Sequence, residues 1–140
     1  MASFVPRTQL REAALTTKTV LLVVDVQNYC AKREGGAARG KEPSEYYWSS
    51  VKESVSNLEK LIAKCRSKGV EVMYTVIESL TEDGRERSLD YKISGFNVPK
   101  GSWDAKVIDE LAPQKNDIVL PKTSCSVFVS TNIAYVLRNL

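Results

Sequence analysis

The stretch that decides the fold runs from Thr19 to Asn28 and reads TVLLVVDVQN. Its apolar part is short, continuous and rich in β-branched residues, which is typical of a strand buried on both faces. Such strands belong to parallel sheets covered by helices, and ligands of these sheets gather beyond the carboxyl ends of the strands. The stretch therefore predicts an α/β fold, and it places the carboxylate of Asp25 where a ligand is expected.

The next segments predict a helix and two more strands. Apolar residues recur in residues 51–65 at spacings of four, three, four and three, which indicates an amphipathic helix that begins near Ser49 and stops at Gly69. Residues 70–77 (VEVMYTVI) and 117–121 (DIVLP) each resemble a buried strand, the latter followed by Lys122. A strand, a helix and a strand in this order favour a parallel crossover.

The remaining segments predict two loops and two further helices. Residues 31–43 and 78–99 are polar and lack periodicity, and the second is long enough to suggest a binding loop or lid. A short helix is expected at 102–111, and a last one from near Ser130 or Thr131 to the end of the sequence. Only three strands are predicted, so we expect the N-terminal half of a larger sheet, as in a fragment or a natural short product.

Composition narrows the possible class of protein. The 140 residues, 43% of them hydrophobic, suit one domain, which we expect at 19–140 behind an N-terminal arm at 1–18. The net charge of +3 comes from 20 basic and 17 acidic residues without a basic cluster, which argues against a nucleic-acid partner. No run reaches the roughly 18 apolar residues of a membrane span. Three widely spaced cysteines fit a reducing, cytoplasmic setting.

Several motifs together resemble one known family. These are the Asp-x-Gln-Asn of residues 25–28, the Gly-Ser-x-Asp of residues 101–104, and the Pro-Lys of 121–122 with the Ser-x-Phe of 126–128. In this combination the sequence resembles the isochorismatase-like cysteine hydrolases, and within them the ureidoacrylate amidohydrolases. The resemblance covers nearly everything from Thr19 to Leu140. It implies a three-layer α-β-α fold around a six-stranded, mostly parallel sheet.

The resemblance also implies a catalytic triad of aspartate, lysine and cysteine. Asp25 matches the aspartate and Lys122 matches the lysine, while the cysteine would follow a fourth strand that lies beyond this chain. A carboxylate that accepts the thiol proton and a lysine that stabilises the thiolate would make an effective nucleophile without histidine, which this sequence lacks. We therefore expect a hydrolase of small amides whose 140-residue chain is inactive alone.

Other residues are secondary candidates for the same site. Gln27, Tyr29 and Phe128 are expected to contact substrate, with ordinary packing as the alternative for each. Cys125 and Cys30 remain open as nucleophiles, although free cysteines are mostly small buried apolar residues. The nicotinamidase branch uses an aspartate-histidine metal site, so the absence of histidine disfavours it, and we expect no metal and no cofactor.

One alternative to the enzyme is a non-catalytic interaction module. A half-sheet leaves an open strand edge, which pairs readily with another chain, so a homo-oligomer is expected. Another is a truncated product that aggregates through the same apolar strand.

Overall fold

A computed structural model describes residues 18–40 and 42–140. The arm predicted for 1–18 lies, apart from Lys18, outside the described residues. The described part contains three strands, five α-helices and two 3₁₀ helices. The strands are β1 (Val20–Val24), β2 (Glu71–Ile77) and β3 (Ile118–Lys122). The α-helices are α1 (Asn28–Ala31), α2 (Glu45–Ser67), α3 (Leu89–Ile93), α4 (Val127–Ser130) and α5 (Ile133–Asn139), and the 3₁₀ helices are Trp103–Ala105 and Asp109–Leu111.

The three strands form one parallel sheet in the order β1-β2-β3. Val24 at the end of β1 pairs with Thr75, and Ile77 at the end of β2 pairs with Lys122. The predicted α/β fold with a parallel sheet is thus confirmed. Because all three strands run the same way, their carboxyl ends lie along one edge of the sheet.

Helix α2 lies against the sheet and forms one side of the core. Ile62 of α2 is buried in one cluster with alternate residues of β2, since side chains two apart in a strand share a face. The cluster also contains the segment after the first 3₁₀ helix. Each fully buried aliphatic or aromatic side chain of this kind stabilises the fold by roughly 1.5–3 kcal/mol. The buried members are Val23, Ile62, Val72, Tyr74, Val76, Val107, Ile108 and Leu111.

Helix α2 begins four residues before the predicted start near Ser49. Ser44 is the N-cap, and its hydroxyl accepts a hydrogen bond from the backbone N–H of Tyr47 at 3.3 Å. Trp48 is buried at 8% exposure and extends the apolar stripe one turn upstream. At the other end, Arg66 of α2 binds Asp117 before β3 at 3.0 and 2.5 Å, and this hydrogen-bonded ion pair lowers the pKa of the Asp117 carboxyl. This ion pair joins the carboxyl-terminal end of α2 to the start of β3.

The single helix predicted for 102–111 is wrong. Two 3₁₀ helices stand there, separated by an extended segment in which Val107 bridges Gln27 in the antiparallel sense. Asn28 donates its N–H to the carbonyl of Lys106, and Ile108 donates to that of Val26. These long-range hydrogen bonds use backbone groups that a continuous helix would need for itself.

The last predicted helix begins later than expected, at Ile133, and a separate short helix, α4, precedes it. Helix α4 ends at Ser130, Thr131 is extended at φ −138° and ψ 173°, and α5 follows from Ile133. The Thr131 hydroxyl donates to the Val127 carbonyl at 2.7 Å and accepts from the Ile133 N–H at 3.1 Å. A threonine side chain that competes for backbone partners in this way favours a helix boundary.

Candidate active site

Asp25 and Lys122 meet at the carboxyl ends of β1 and β3. The Lys122 ammonium nitrogen Nζ lies 2.9 Å from Asp25 Oδ2. The lysine side chain is 2% exposed and the aspartate side chain 21% exposed, so the amine is enclosed while the acid retains access to solvent. Both residues were predicted to lie at strand ends. Strand β2 lies between β1 and β3, and the long lysine side chain spans it to reach the Asp25 carboxylate.

The Lys122 ammonium group is fully satisfied. Besides Asp25, it donates to the carbonyl oxygens of Ser124 at 3.2 Å and Cys125 at 3.3 Å. Three protons thus have three acceptors, which is the condition under which a buried ammonium is tolerated. The turn after β3 therefore points its carbonyls back at the lysine and holds its charge beside Asp25.

The backbone of Asp25 is left-handed, with a φ of 55°, and among the described residues no other non-glycine residue has positive φ. Its N–H donates to the carbonyl of Thr75 at 3.0 Å. Its own carbonyl accepts from the N–H of Gln27 at 2.9 Å and from the thiol of Cys30 at 3.0 Å. A strained residue held from several sides is a frequent property of functional sites.

Thr75 is a site residue that the sequence reasoning missed. Its hydroxyl donates to Asp25 Oδ1 at 2.8 Å, and its side chain is 1% exposed. The available signal was a threonine between Tyr74 and Val76, in the carboxyl-terminal half of a strand of mainly apolar and aromatic residues.

Gln27, expected to contact substrate, is fully buried. Its amide nitrogen donates to the carbonyls of Ile77 and Asp104, both at 2.9 Å, and its oxygen accepts from the N–H of Ile77 at 2.6 Å. The side chain thereby joins the end of β1 to the end of β2 and to the first 3₁₀ helix. A substrate contact for Gln27 stays a prediction, and it would require this network to open.

Tyr29 belongs to a small aromatic cluster. Its ring lies 4.9 Å from that of Phe96, edge to face, and Phe96 lies 4.7 Å from Tyr91. Burial, then the Cys125 thiol, and then the charges of Asp25 and Asp90 raise the pKa of Tyr91. Tyr91 lies on α3, in the segment between β2 and β3.

The loop from residue 78 to 101 is closed on itself above these strand ends. Gly101 donates its N–H to Glu78 Oε1 at 2.7 Å, and Ser79 donates its N–H to the Val98 carbonyl at 2.9 Å. Ser88 donates its N–H to the carbonyl of Thr123, which follows β3. These bonds tie the segment that carries Tyr91 to itself and to the residue after β3.

Phe128, the third expected substrate contact, lies on α4 and is 63% exposed. A role for it in substrate binding therefore stays a prediction.

The three cysteines occupy three different environments. Cys30 donates to the main chain of Asp25, and burial raises the pKa of its thiol. Cys65 packs against the core from α2. Cys125 is exposed, and its sulfur lies 3.4 Å from Asp90 Oδ2. None of the three sulfurs forms a hydrogen bond with the carboxylate of Asp25 or the amine of Lys122.

A cavity of about 310 Å³ lies between the end of β1, including Asp25, and helix α2. Its walls come from Val24, Cys30 and the facing side chains of α2, and they are mainly apolar. The volume is at the lower end of the range for small-molecule pockets.

Among residues 18–40 and 42–140, no cluster of three or more cysteine, aspartate or glutamate side chains suits a metal ion. None of the helices in these residues has the length and apolar character of a membrane span.

The sequence of this chain is similar to those of known proteins. The chain is 31% identical over 138 residues to the ureidoacrylate amidohydrolase of Rhizobium rhizogenes, an alignment that covers 87% of this chain and 54% of that protein. It is 32% identical to the isochorismatase of Bacillus subtilis, with 98% of this chain and 40% of that protein covered. The chain thus spans about half the length of the curated relatives that it matches.

Solved structures show the same likeness. A cysteine hydrolase from Pseudomonas syringae pv. phaseolicola superposes with a TM-score of 0.76 at 26% identity, covering 92% of this chain and 57% of that one. The N-carbamoylsarcosine amidase of Thermoplasma acidophilum gives 0.64 at 29% identity, covering 87% and 61%. The model of the isochorismatase domain matches residues 19–140. This chain belongs to the isochorismatase family.

Proposed function

We propose that this chain supplies the acid and the amine of an Asp-Lys-Cys amidohydrolase site, with the thiol on polypeptide outside these 140 residues. The observation that carries the proposal is the 2.9 Å contact between enclosed Lys122 and partly exposed Asp25, at the sheet edge where ligands of α/β proteins bind. The environments of Cys30, Cys65 and Cys125 support a nucleophile from elsewhere. Small linear amides or ureido compounds are the proposed substrates, in line with the relatives named above.

The proposed chemistry uses side chains and water. Asp25 takes the proton of the thiol, and the Lys122 ammonium stabilises the resulting thiolate. The thiolate attacks the amide carbonyl, Asp25 returns the proton to the leaving nitrogen, and the C–N bond breaks to leave a thioester. Asp25 then takes a proton from water, whose oxygen attacks the thioester. The C–S bond breaks, the carboxylic acid leaves, and Asp25 returns the proton to the sulfur. The three free cysteines support a reducing, cytoplasmic setting.

The test is amide hydrolysis with ureidoacrylate and related amides. The 140-residue chain is assayed alone and with a C-terminal extension that carries the cysteine-bearing strand and helix of a homologous amidohydrolase. We expect activity only with the extension. We expect Asp25→Asn to reduce it about 100-fold, as loss of a general acid-base group does, and Lys122→Met to reduce it about 100-fold, as loss of a preorganised stabilising group does.

A matched control is Glu110→Gln, which removes a carboxylate from an exposed ion pair with Lys32. It should leave the rate unchanged. Each variant is assayed under conditions in which circular dichroism shows it to be folded. Equal rates for the parent protein, Asp25→Asn and Lys122→Met would refute the proposal, and activity of the chain alone that is lost in Cys125→Ser would move the nucleophile to Cys125.

A second candidate function is self-association through β1. This strand lies at one edge of the sheet, contains no charged residue or proline, and leaves Val24 53% exposed. The opposite edge strand, β3, is protected by Pro121, which has no N–H to offer a partner. Among the described residues no strand pairs with the outer side of β1, and an unpaired apolar edge is a template for pairing with another chain.

For this candidate we expect the chain to elute as a homo-oligomer in size-exclusion chromatography with light scattering. Val24→Lys should shift the mass to that of a monomer, because a charge on an edge strand opposes pairing. Val119→Lys, on β3 at 38% exposure, is the matched control and should leave the mass unchanged. A parent chain that is monomeric at tens of micromolar would remove the reason for this function.

A further inference from the structure

Thr75 contacts Asp25 twice. Its carbonyl accepts the Asp25 N–H at 3.0 Å, and its hydroxyl donates to Asp25 Oδ1 at 2.8 Å. Thr75 lies on β2, where it pairs with Val24, so it reaches the acid from the neighbouring strand. At 1% exposure its hydroxyl has little access to water, and Asp25 is its acceptor. The hydrogen bond from the Thr75 hydroxyl to Asp25 therefore lies inside the protein and does not compete with water.

The two oxygens of the Asp25 carboxylate have different partners. Oδ1 accepts from Thr75, and Oδ2 lies at 2.9 Å from the Lys122 ammonium. Thr75 and Lys122 are on the same face of the sheet, because Ile77, two residues after Thr75, pairs with Lys122. The carboxylate is thus held between two strands, and its plane is set by both contacts.

We propose that Thr75 is a positioning residue for the hydrolysis described above, an inference that rests on the proposed function. By holding Oδ1 inside the protein, Thr75 leaves Oδ2, the oxygen next to Lys122, to exchange the proton with the thiol and the leaving nitrogen. Without the hydroxyl, the carboxylate turns about its Cβ–Cγ bond, and the two oxygens become interchangeable. The correct orientation is then present for only part of the time, which lowers the rate of proton transfer.

Valine and serine separate this role from simple packing. Thr75→Val keeps the branched shape that suits a strand and removes the donor, whereas Thr75→Ser keeps the donor and removes a methyl group. If Thr75 only fills space, serine is the more harmful change. If it positions Asp25, valine is.

The first measurement uses the 140-residue chain and needs no turnover. Nuclear magnetic resonance of the Lys122 side chain measures how fast the ammonium protons exchange with water, and a firm hydrogen bond to Asp25 slows this exchange. We expect about tenfold faster exchange of these protons with water in Thr75→Val, and parent-like exchange in Thr75→Ser, since hydrogen bonds to charged groups are among the stronger ones. Equal exchange in the parent and Thr75→Val would overturn the proposal. If Thr75→Val does not fold, Thr75→Ala is measured in the same way.

The second measurement is steady-state kinetics of the extended, active protein. We expect Thr75→Val to lower kcat about tenfold with KM unchanged, and Thr75→Ser to stay within about threefold of the parent. An equal loss in both variants, or a change in KM alone, would overturn the positioning role. If Asp25→Asn leaves turnover intact, the proposed function fails, while the exchange measurement still shows whether Thr75 orients the carboxylate.

Discussion

Asparagine in place of Asp25 is expected to lower the free energy of unfolding by about 3 kcal/mol, because it leaves the buried Lys122 ammonium without a counter-charge. The Lys122 side chain is 2% exposed, and its remaining partners are two carbonyl oxygens. Asparagine tolerates the left-handed backbone at this position, so the loss reports the charge and not the φ of 55°. Urea denaturation followed by circular dichroism measures it.

The double variant Asp25→Asn, Lys122→Met tests the cause. Replacing a buried ion pair by groups without charge is often close to neutral, so the double variant should recover most of the loss. Glu110→Gln, in the exposed pair with Lys32, should cost less than about 1 kcal/mol. If the double variant is as unstable as Asp25→Asn, the unpaired charge is not the origin of the loss.

Methionine in place of Gln27 is expected to lower the free energy of unfolding by about 4 kcal/mol. The change preserves an unbranched shape but removes three hydrogen bonds, to the carbonyls of Ile77 and Asp104 and from the N–H of Ile77. Each buried polar group left without a partner costs about 1–3 kcal/mol. Gln27 is 0% exposed, so water has little access to replace the lost partners.

The matched control is Gln114→Met, since Gln114 is exposed. Surface changes of this kind usually stay within about 0.5 kcal/mol. Urea midpoints of the two variants and the parent give the comparison. A Gln27→Met protein as stable as the parent would show that the ends of β1 and β2 are held by other contacts.

The regular elements were largely predictable from the sequence. Strands β1, β2 and β3 and the body of α2 follow from local apolar patterns, and their chain order indicated a parallel sheet. Errors arose where distant backbone groups compete. The segment 102–111 is extended at its centre because it bonds to the residues after β1, and no local pattern in it records that partner.

The candidate site was predictable in part, because two of its residues follow directly after predicted strands. A parallel sheet collects its strand ends at one edge, so a terminal aspartate and a terminal lysine were expected there, and the structure brings them to 2.9 Å. Their catalytic role stays a proposal. The contacts of Gln27 and Thr75 span fifty residues or more, and their chemistry as side chains does not reveal whether they face a ligand or a neighbouring strand.

The sequence by itself determined the type and direction of the strands and the two charged groups at their ends. The reason is that the pattern of apolar residues among close neighbours in the chain indicates burial and periodicity. Only the tertiary structure decided which oxygen of Asp25 faces Lys122, which one Thr75 holds, and that Gln27 joins two strands. Hydrogen bonds form between atoms brought together by folding, and their geometry depends on the register of separate strands and on backbone angles such as the φ of Asp25.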